Sequence, residues 1–382
     1  MYKVYTTKHI LNIHKHCDGG WFWIKYSASP YLGCEYGCTY CYCREDKYDP
    51  HKREIDPELL ELEDPFSEYI KIKDKAPELF KKAIANKPKD LIYLDSYQPV
   101  EKKYGYCRKI LEICLEYDFP VFINEKSPLL LKDLDILKEI NNRSYVNVGW
   151  SIISGKDDEI SAIFEPNSPK TDSRFEAMGE LSENNILTGT VFMPILPYIS
   201  DKEENIEEVI KNTSINGGKY ILDGGLTLNG YCKTYFFNFL EKYDSALIEK
   251  YEKLFSSEEL YSQISIKIHK TVLKYCNKYS IPNYINRPIN FFPSEIQINK
   301  KVSEKLFLKA REIQMEGGDK FKEWAYRKAA WEIDELNDNI LDIYNNEGRN
   351  GLLLLKGVGK SIALEIEKIL ISNIINEQSK NI

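Results

Sequence analysis

The stretch Cys34-Glu35-Tyr36-Gly37-Cys38-Thr39-Tyr40-Cys41 places three cysteines in one short loop with the spacing CxxxCxxC. Three thiolates this close together suit an iron–sulfur cluster that keeps one iron free of protein ligands. A cluster held by four cysteines is a closed electron carrier, whereas a free iron can chelate a small molecule and pass an electron to it. Gly33 and Gly37 allow the backbone to wrap closely around a bulky group.

Zinc is an alternative metal for the same three cysteines. A structural zinc site needs four Cys or His ligands, and Cys43 lies close behind the triplet. The histidines within reach in the sequence are His9, His14, His16 and His51. Tyr40 and the apolar, strand-like run 21–28 before the loop favour the cluster. Cys43 is also an alternative third cluster ligand, although CxxxCxxC fits better.

Length and composition set broad limits. The 382 residues suffice for one large domain and one small domain. Nine cysteines without an evenly spaced framework favour a reducing cytoplasm. Residues 1–20 mix Lys, His and Asp, so we expect no signal peptide, and the sequence lacks an apolar run long enough to span a membrane. The net charge of −7 gives no general attraction to nucleic acid, so DNA binding would need a local site.

The organisation of the chain predicts a parallel sheet. Short apolar runs alternate with helical patterns, which is typical of strand–helix units with the helices outside. The predicted strands are 21–28, 91–94, 121–123, 146–153, 187–193 and 220–222, and the predicted helices are 101–117, 131–140, 173–183, 202–212 and 232–255. Six strands predict an α/β fold, a partial (β/α)6 barrel, whose chemistry lies at the carboxyl ends of the strands. We predict this barrel over residues 1–300 and a small all-α domain over 301–382.

The stretch from Ser29 to about Leu228 resembles the radical S-adenosylmethionine (SAM) group that includes spore photoproduct lyase and the wider DNA repair photolyase set. The resemblance covers roughly half the chain. It is carried by the loop 30–42, the block 95–104 after the second strand, Lys126-Ser127, Ser151, Phe164-Glu165-Pro166 before Arg174, and Met193-Pro194-Ile195.

The resemblance implies roles for individual residues. Cys34, Cys38 and Cys41 would hold a [4Fe-4S] cluster, and SAM would chelate the fourth iron. Ser96, Lys126 and Ser151 would contact SAM. Tyr40 and Tyr42 match tyrosines associated with hydrogen-atom relay; packing against the cluster is the plainer alternative for both.

The resemblance also implies a reaction. An electron donor such as flavodoxin or ferredoxin would reduce the cluster, SAM would be split, and a 5′-deoxyadenosyl radical would take a hydrogen atom from a substrate carbon. In spore photoproduct lyase that carbon belongs to a cross-linked thymine pair. One departure concerns the second strand, where spore photoproduct lyase has a cysteine that returns a hydrogen atom to the product. Residues 91–94 contain no cysteine; Cys43, Cys107, Cys114 and Cys232 are the alternatives.

A second motif lies near the C-terminus. Gly357-Val358-Gly359-Lys360 stands between two helical patterns and resembles a helix-hairpin-helix. Residues 325–336 extend the likeness to the N-terminal DNA-binding domain of family X DNA polymerases. The resemblance implies that the turn and the following helix bind a DNA phosphate without reading bases. Lyase chemistry is not expected, because the Schiff-base lysine of that family falls at Glu365.

Three functions fit these patterns. The first is a cytoplasmic radical SAM enzyme that repairs or modifies a DNA base and is held on DNA by its tail. The second is radical SAM chemistry on RNA, a peptide or a small molecule, with a protein-binding tail. The tail from Ser303 onward has 12 Lys or Arg against 14 Asp or Glu, so it has no broad basic face, and a Gly-x-Gly between helices can also serve packing alone. The third is a non-enzymatic DNA-binding protein with a structural or redox cluster.

Overall fold

The computed structural model describes residues 1–45, 59, 61–156 and 159–380, and for 373–380 it describes only the backbone. The chain divides into two compact units. We call the first the barrel unit, which comprises Met1–Ile13 and Tyr26–Asn283. The second, the helical unit, comprises His14–Lys25 and Tyr284–Ile382.

The described strands of the barrel unit form two sheets. In chain order they are β1 (Tyr2–Tyr5), β2 (Leu11–Ile13), β3 (Tyr26–Ala28), β4 (Tyr31–Leu32), β5 (Ile70–Lys73), β6 (Ile92–Leu94), β7 (Val121–Glu125), β8 (Val146–Ser151), β9 (Leu187–Phe192) and β10 (Ile221–Asp223). The larger sheet has the order β10-β9-β8-β7-β6-β3-β2, and its strands are parallel except β2. The six parallel strands confirm the predicted partial (β/α)6 barrel.

The central strands owe their position to their apolar composition. Every residue of β8 is buried, as are the first three residues of β7. Strands buried on both faces are expected in a parallel sheet, because the crossover helices cover it. Among those helices, the one formed by Tyr106–Glu116 buries Cys107, Ile110, Leu111 and Cys114, which recur at helical spacing.

The described helices of the barrel unit are α1 (Pro65–Glu68), α2 (Ala76–Ile84), α3 (Glu101–Tyr104), α4 (Tyr106–Glu116), α5 (Leu134–Arg143), α6 (Glu159–Phe164), α7 (Thr171–Glu183), α8 (Glu203–Ile215), α9 (Gly230–Tyr243), α10 (Ala246–Ser256) and α11 (Glu258–Lys278). Two of the predicted helices are broken. Gly105, at φ +61°, separates α3 from α4 within the predicted 101–117. The predicted 232–255 becomes α9 and α10.

A three-stranded sheet of order β1-β5-β4 was not predicted from the sequence. Its strands are short, and three of the four residues of β1 are exposed. They therefore lack the apolar run by which a buried strand is recognised. This sheet matters for the site because β4 leads directly into the three-cysteine loop.

The helical unit contains α12 (Ser294–Met315), α13 (Lys320–Asp334), α14 (Ile340–Leu354) and α15 (Lys360–Lys380). A buried carboxylate joins its parts: Asp334 lies 3.0 Å from Arg287 Nη2 and accepts a 3.0 Å hydrogen bond from Ser303. Lys300 Nζ lies 3.4 Å from the same carboxylate. Among the described residues, every helix is too short or too polar to span a membrane.

The compact units divide the chain differently from the predicted domains. Residues 284–300 fall in the helical unit, and so does the segment 14–25. Trp23 explains the second difference, since it is 1% exposed, donates from Nε1 to the Ile285 carbonyl at 2.8 Å and packs edge-on against Phe307. The predicted strand 21–28 is consequently reduced to Tyr26–Ala28.

Candidate active site

The three-cysteine loop begins at a glycine that no other residue can replace without strain. Gly33 has φ +82°, and a Cβ there would lie 2.8 Å from the Phe66 carbonyl oxygen and 3.1 Å from that of Tyr69. The next residue, Cys34, donates its N–H to the same Phe66 carbonyl at 3.0 Å. The loop is thus held against the segment before β5, which fixes where the first cysteine starts.

The three cysteines share one apolar cluster, and none forms a disulfide. Burial raises the pKa of the Cys34 thiol, and the nearby Cys38 and Cys41 raise it further. Hydrogen bonding from Cys43, against the opposing effect of burial, lowers the pKa of Cys41 to about 7. Cys38 is buried, and Cys34 and Cys41 are half-buried. A cationic iron centre would offset the repulsion between three neighbouring thiolates, so this donor set fits a cluster.

A buried arginine, Arg44, holds the three-cysteine loop in place. The Arg44 side chain is fully buried and donates from Nε to the Cys38 carbonyl at 3.1 Å. Its two terminal nitrogens form a bidentate pair with Asp64 at 2.5 and 2.8 Å. The guanidinium carbon lies 3.9 Å from the ring centroid of Tyr235 and 4.8 Å from that of Phe66. Planar stacking and a bidentate pair are contacts that lysine does not reproduce.

Two side chains tie the loop to the block after β6. Gln98 accepts from the Glu35 N–H at 2.9 Å and donates to the Gly33 carbonyl at 3.0 Å. Glu35 in turn accepts from the Val100 N–H at 2.6 Å. These contacts explain why the block 95–104 accompanies the cysteine motif, because its polar groups complete the backbone hydrogen bonding of the loop.

Lys126, just beyond β7, is the centre of a polar network at the carboxyl ends of the strands. Its Nζ lies 2.7 Å from Ser151 Oγ, 2.6 Å from Glu165 Oε1 and 3.2 Å from the Tyr40 hydroxyl. Tyr40 also donates to Glu165. Arg174 Nη2 lies 2.6 Å from the second Glu165 oxygen, and its Nη1 donates to the Ser151 carbonyl at 2.9 Å.

The Glu165 carboxylate is ionised in this setting. Burial alone would raise its pKa, but the cationic Arg174 and Lys126 bring the pKa down to about 2. Two cations and one carboxylate leave the network with one positive charge in excess. Such an excess suits an anionic group of a ligand.

Ser96 and Tyr42 lie outside this network. Ser96 is buried, and its hydroxyl donates to Asp95 at 3.5 Å. Burial raises the pKa of Asp95, which also accepts from Ser29 at 3.2 Å. Tyr42 is 52% exposed, and the neighbouring Cys43 and Tyr93 raise its pKa. The structure therefore joins Cys34, Cys38, Cys41, Tyr40, Lys126 and Ser151 in one place, with Ser96 and Tyr42 each making other contacts.

Of the further zinc ligands named from the sequence, Cys43 lies beside Cys41, to which it hydrogen-bonds. His14 and His16 belong to the helical unit, where His16 stacks on Trp331, and His51 lies outside the described residues. Within the described part of the chain, no three Cys, His, Asp or Glu side chains form a site for a single metal ion. Of the other cysteines, Cys232 contacts the loop, with Sγ 3.2 Å from the Cys41 carbonyl oxygen.

The predicted C-terminal motif forms a tight turn between α14 and α15. Gly357 has φ +80°, and the first hydrogen bond of α15 runs from the Ala363 N–H to the Gly359 carbonyl at 2.9 Å. The N–H groups of Lys360 and the next two residues therefore precede the helical hydrogen bonds. Glu365 accepts from the Tyr326 hydroxyl at 2.5 Å. DNA binding by Gly357, Gly359 and Lys360 stays a prediction.

Several residues of the site are not predicted from the sequence. Glu165 and Arg174 lie in the quoted motifs without a predicted function, and Arg44, Asp64 and Tyr235 belong to no motif. An arginine three residues after the last cysteine was visible in the sequence. Its partners were not, because Asp64 and Tyr235 reach it only through the tertiary fold.

Comparison with known proteins agrees with this geometry. Residues 28–210 match the radical SAM superfamily. An uncharacterized protein of Methanocaldococcus jannaschii is 30% identical over 186 residues, which are 48% of this chain and 65% of that protein. An uncharacterized protein of Acidianus two-tailed virus is 26% identical over 59% of this chain and 76% of its own length. The chain thus spans about two thirds of the length of the archaeal relative.

Solved structures of spore photoproduct lyase variants share the fold. One covers 74% of this chain and 81% of its own with a TM-score of 0.52 at 13% identity. Another, with bound SAM and dinucleoside spore photoproduct, has a TM-score of 0.51 at 14% identity. Residues 28–210 are thus the domain that is similar to the radical SAM superfamily. The match confirms the predicted cofactors, a [4Fe-4S] cluster and SAM, as those of this domain.

Proposed function

We propose that this protein is a radical SAM enzyme that abstracts a hydrogen atom from a damaged or modified base in DNA. The observation that carries the enzyme proposal is the Lys126–Ser151–Glu165–Arg174 network at the strand ends, joined through Tyr40 to the three-cysteine loop. It provides a polar, positively charged wall beside a thiol-rich loop. Those are the two halves of a SAM-chelating cluster site.

In this proposal each half has its own task. Cys34, Cys38 and Cys41 hold the cluster, and Lys126 and Ser151 orient the carboxylate of SAM with the excess positive charge. Ser96, at the end of β6, contacts another part of SAM. The bound cofactors supply reductive cleavage of a carbon–sulfur bond and the hydrogen abstraction that follows. The chain itself orients the ligands and keeps water out.

The two tyrosines differ in what supports their proposed part in hydrogen transfer. Tyr40 is buried, and its hydroxyl is held between Glu165 and Lys126. These two contacts favour the positioning of Lys126 as the main role of Tyr40. Tyr42 is 52% exposed and so can be reached by a substrate. We therefore assign hydrogen-atom relay to Tyr42 before Tyr40.

The DNA part of the proposal rests on the turn at Gly357–Lys360. The amide groups at the start of α15 and the side chain of Lys360 suit a backbone phosphate. Spore photoproduct lyase, whose structure holds a dinucleoside photoproduct, has the same fold, which supports a nucleic-acid substrate by analogy only. A base in a duplex would have to be turned out to reach the barrel mouth. The electron donor in this proposal is a flavodoxin or ferredoxin.

A second candidate is radical SAM chemistry on RNA, a peptide or a small molecule. The observation in its favour is the composition of the tail, in which acidic residues outnumber basic ones 14 to 12 from Ser303 onward. A protein partner for the tail would then replace DNA.

The test of catalysis uses full-length protein with its cluster reconstituted anaerobically. Dithionite and SAM should yield 5′-deoxyadenosine, and Cys38→Ala should abolish both the iron content and this product. Cys276→Ala, a buried cysteine of α11, is the matched control and should retain both. Equal SAM cleavage by Cys38→Ala and wild type would refute the ligand assignment.

The test of the substrate uses damaged oligonucleotides deuterated at the reacting carbon. Transfer of deuterium to 5′-deoxyadenosine would support DNA as substrate. SAM cleavage that no DNA stimulates, with no transfer of label, would favour the second candidate.

A further inference from the structure

Asn124 lies inside the barrel, on the strand that leads to Lys126. Side chains alternate along β7, so Phe122 and Asn124 share one face, and Lys126 continues that face just beyond the strand. Gly149 of β8 is the register partner of Asn124. A Cβ added at Gly149 would lie 3.1 Å from Phe122 Cζ and 2.8 Å from Val191 Cγ2. Side chains of β7 and β9 therefore fill the interior here, and Asn124 is the next side chain of this face toward the carboxyl end.

The side-chain oxygen of Asn124 is a buried acceptor. Within the part of the chain that the structure describes, Oδ1 finds no hydrogen-bond donor. The amide nitrogen donates to the Tyr93 hydroxyl at the long distance of 3.5 Å. Buried polar groups of folded proteins are almost always hydrogen-bonded, because an unpaired one costs stability. An unpaired acceptor just below the polar network therefore points to a donor that a ligand supplies.

Another asparagine of the barrel interior has its partners within the protein. The Asn147 side-chain oxygen accepts from the Tyr220 hydroxyl at 2.8 Å. Burial raises the pKa of Tyr145, and a hydrogen bond with Asn147 opposes this effect. Asn147 is near the amino end of β8, far from where ligands enter a parallel barrel. The fold thus pairs the amide oxygen at the closed end with a tyrosine and leaves the one near the mouth unpaired.

Tyr93 connects Asn124 with the substrate side of the mouth. The Tyr93 ring stacks on Phe122 with 5.9 Å between centroids, and its hydroxyl accepts from Asn124. Tyr93 is also close enough to the exposed Tyr42 to help raise its pKa, after the larger effect of Cys43. Tyr42 is the residue to which we assign hydrogen-atom relay. Asn124 therefore lies beside the place where the substrate would meet that relay.

The chemistry of a primary amide limits what can fill this position. Asn presents an acceptor and a donor side by side in one plane. The edge of a nucleobase that carries an N–H beside an acceptor atom complements this pair. Because the oxygen of Asn124 is the unpaired atom, the ligand must contribute the N–H.

We propose that Asn124 recognises the substrate by accepting, at Oδ1, a hydrogen bond from an N–H on the edge of a DNA base. This rests on the proposed function, in that it names the group of the substrate that the barrel interior reads. A site that pairs with an N–H rejects a ligand that lacks this group, since the buried oxygen then stays unpaired. Asn124 is thus a specificity-determining residue.

The first experiment measures binding of the dinucleotide thymidylyl-thymidine (TpT) to full-length protein with a reconstituted cluster, by calorimetry. Thymine has a single N–H, so methylation of both bases at N3 removes the donor and keeps the base. We expect wild type to bind methylated TpT about tenfold more weakly than TpT. Asn124→Leu should bind TpT about tenfold more weakly than wild type does, and methylated TpT within twofold of wild type. Binding of S-adenosylhomocysteine, which carries the adenine of SAM, should change less than twofold.

The second experiment separates ligand binding from a structural role. Urea unfolding without ligand should show an equal or higher midpoint in Asn124→Leu, because the substitution removes an unpaired polar atom. Asn147→Leu is the matched control and should unfold at lower urea, since it breaks the hydrogen bond with Tyr220. An equal loss of stability in the two variants would overturn the inference, because Asn124 would then have its partner within the protein.

Three further outcomes decide the inference. Weaker binding of S-adenosylhomocysteine by Asn124→Leu, with TpT binding unchanged, would overturn it, because the amide would then serve SAM. Failure of wild type to bind TpT, or equal binding of TpT and methylated TpT, would also overturn it. TpT binding that depends on Asn124, without deuterium transfer from any damaged oligonucleotide, would support this inference and contradict the proposed hydrogen abstraction from DNA.

Discussion

Lys126 and Glu165 form an ion pair of 2.6 Å that joins the end of β7 to the segment after α6. The Glu165 side chain is fully buried, and Arg174, which meets its other oxygen, is 1% exposed. Removing one charged side chain of this group leaves a buried charge without its counter-charge. The resulting loss of stability exceeds the net contribution of the intact ion pair.

The first prediction therefore concerns Glu165→Gln. The variant leaves Arg174 and Lys126 without their counter-charge, so we expect the free energy of unfolding to fall by about 3–5 kcal/mol. Urea unfolding of the protein without cofactors measures this. Glu203→Gln is the control, because Glu203 and its partner Lys274 are both exposed and should matter little. Equal effects of the two substitutions would contradict the assigned importance of the network.

The second prediction concerns Arg44. Arg44→Met keeps the apolar stem between Tyr235 and Phe66 but removes the hydrogen bond to the Cys38 carbonyl and leaves Asp64 unpaired. We expect a loss of about 3–5 kcal/mol in the free energy of unfolding. We also expect less iron per protein after reconstitution and faster alkylation of the loop cysteines before it. Arg108→Met removes a largely solvent-accessible pair with Asp135 and should leave iron content unchanged. Wild-type iron content in Arg44→Met would show that the contacts of Arg44 are not needed for cluster binding by the loop.

The third prediction concerns Gly33. Gly33→Ala combines a left-handed backbone with a Cβ 2.8 Å from the Phe66 carbonyl oxygen, so we expect a cost of roughly 2–5 kcal/mol and poor cluster loading. Gly105 also has positive φ, but a Cβ there meets nothing within 4 Å. Gly105→Ala should therefore cost only about 1–2 kcal/mol. Thermal unfolding and iron analysis of both variants measure the difference, and similar values would argue against the close approach at Gly33.

The fourth prediction concerns acid stability of the helical unit. Burial alone would raise the pKa of Asp334, but Arg287 and Lys300 lower it below the ordinary 3.8. A lowered pKa contributes stability that is complete above the ordinary value and is lost as pH falls through the folded-state value. Wild type should thus lose stability below about pH 4, whereas Asp334→Asn should lack this part of the acid dependence.

At neutral pH the same variant should be less stable by about 3–5 kcal/mol, because Arg287 and Lys300 lose their buried partner. Unfolding followed by tryptophan fluorescence between pH 3 and 7 tests both statements. Asp338→Asn, on an exposed position nearby, is the control and should follow the wild-type acid profile. An identical acid profile in Asp334→Asn and wild type would contradict the ion-pair assignment.

Local patterns in the sequence determined the parallel barrel and the cluster loop. A short apolar run such as Val121-Phe122-Ile123 of β7 is recognisable as a buried strand, and the spacing of Cys34, Cys38 and Cys41 is itself local. The same strand assignment predicts that Lys126 and Ser151 lie at the carboxyl ends of their strands. Each of these inferences needed only residues that are neighbours in the chain.

Tertiary structure decided what surrounds those residues. Glu165 meets Lys126 across 39 positions, and Tyr235 stacks on an arginine far earlier in the chain. Trp23 places residues 14–25 in the helical unit although they interrupt the barrel sequence. Contacts of this kind carry no short-range pattern, because burial and charge pairing act between whatever side chains the fold brings together.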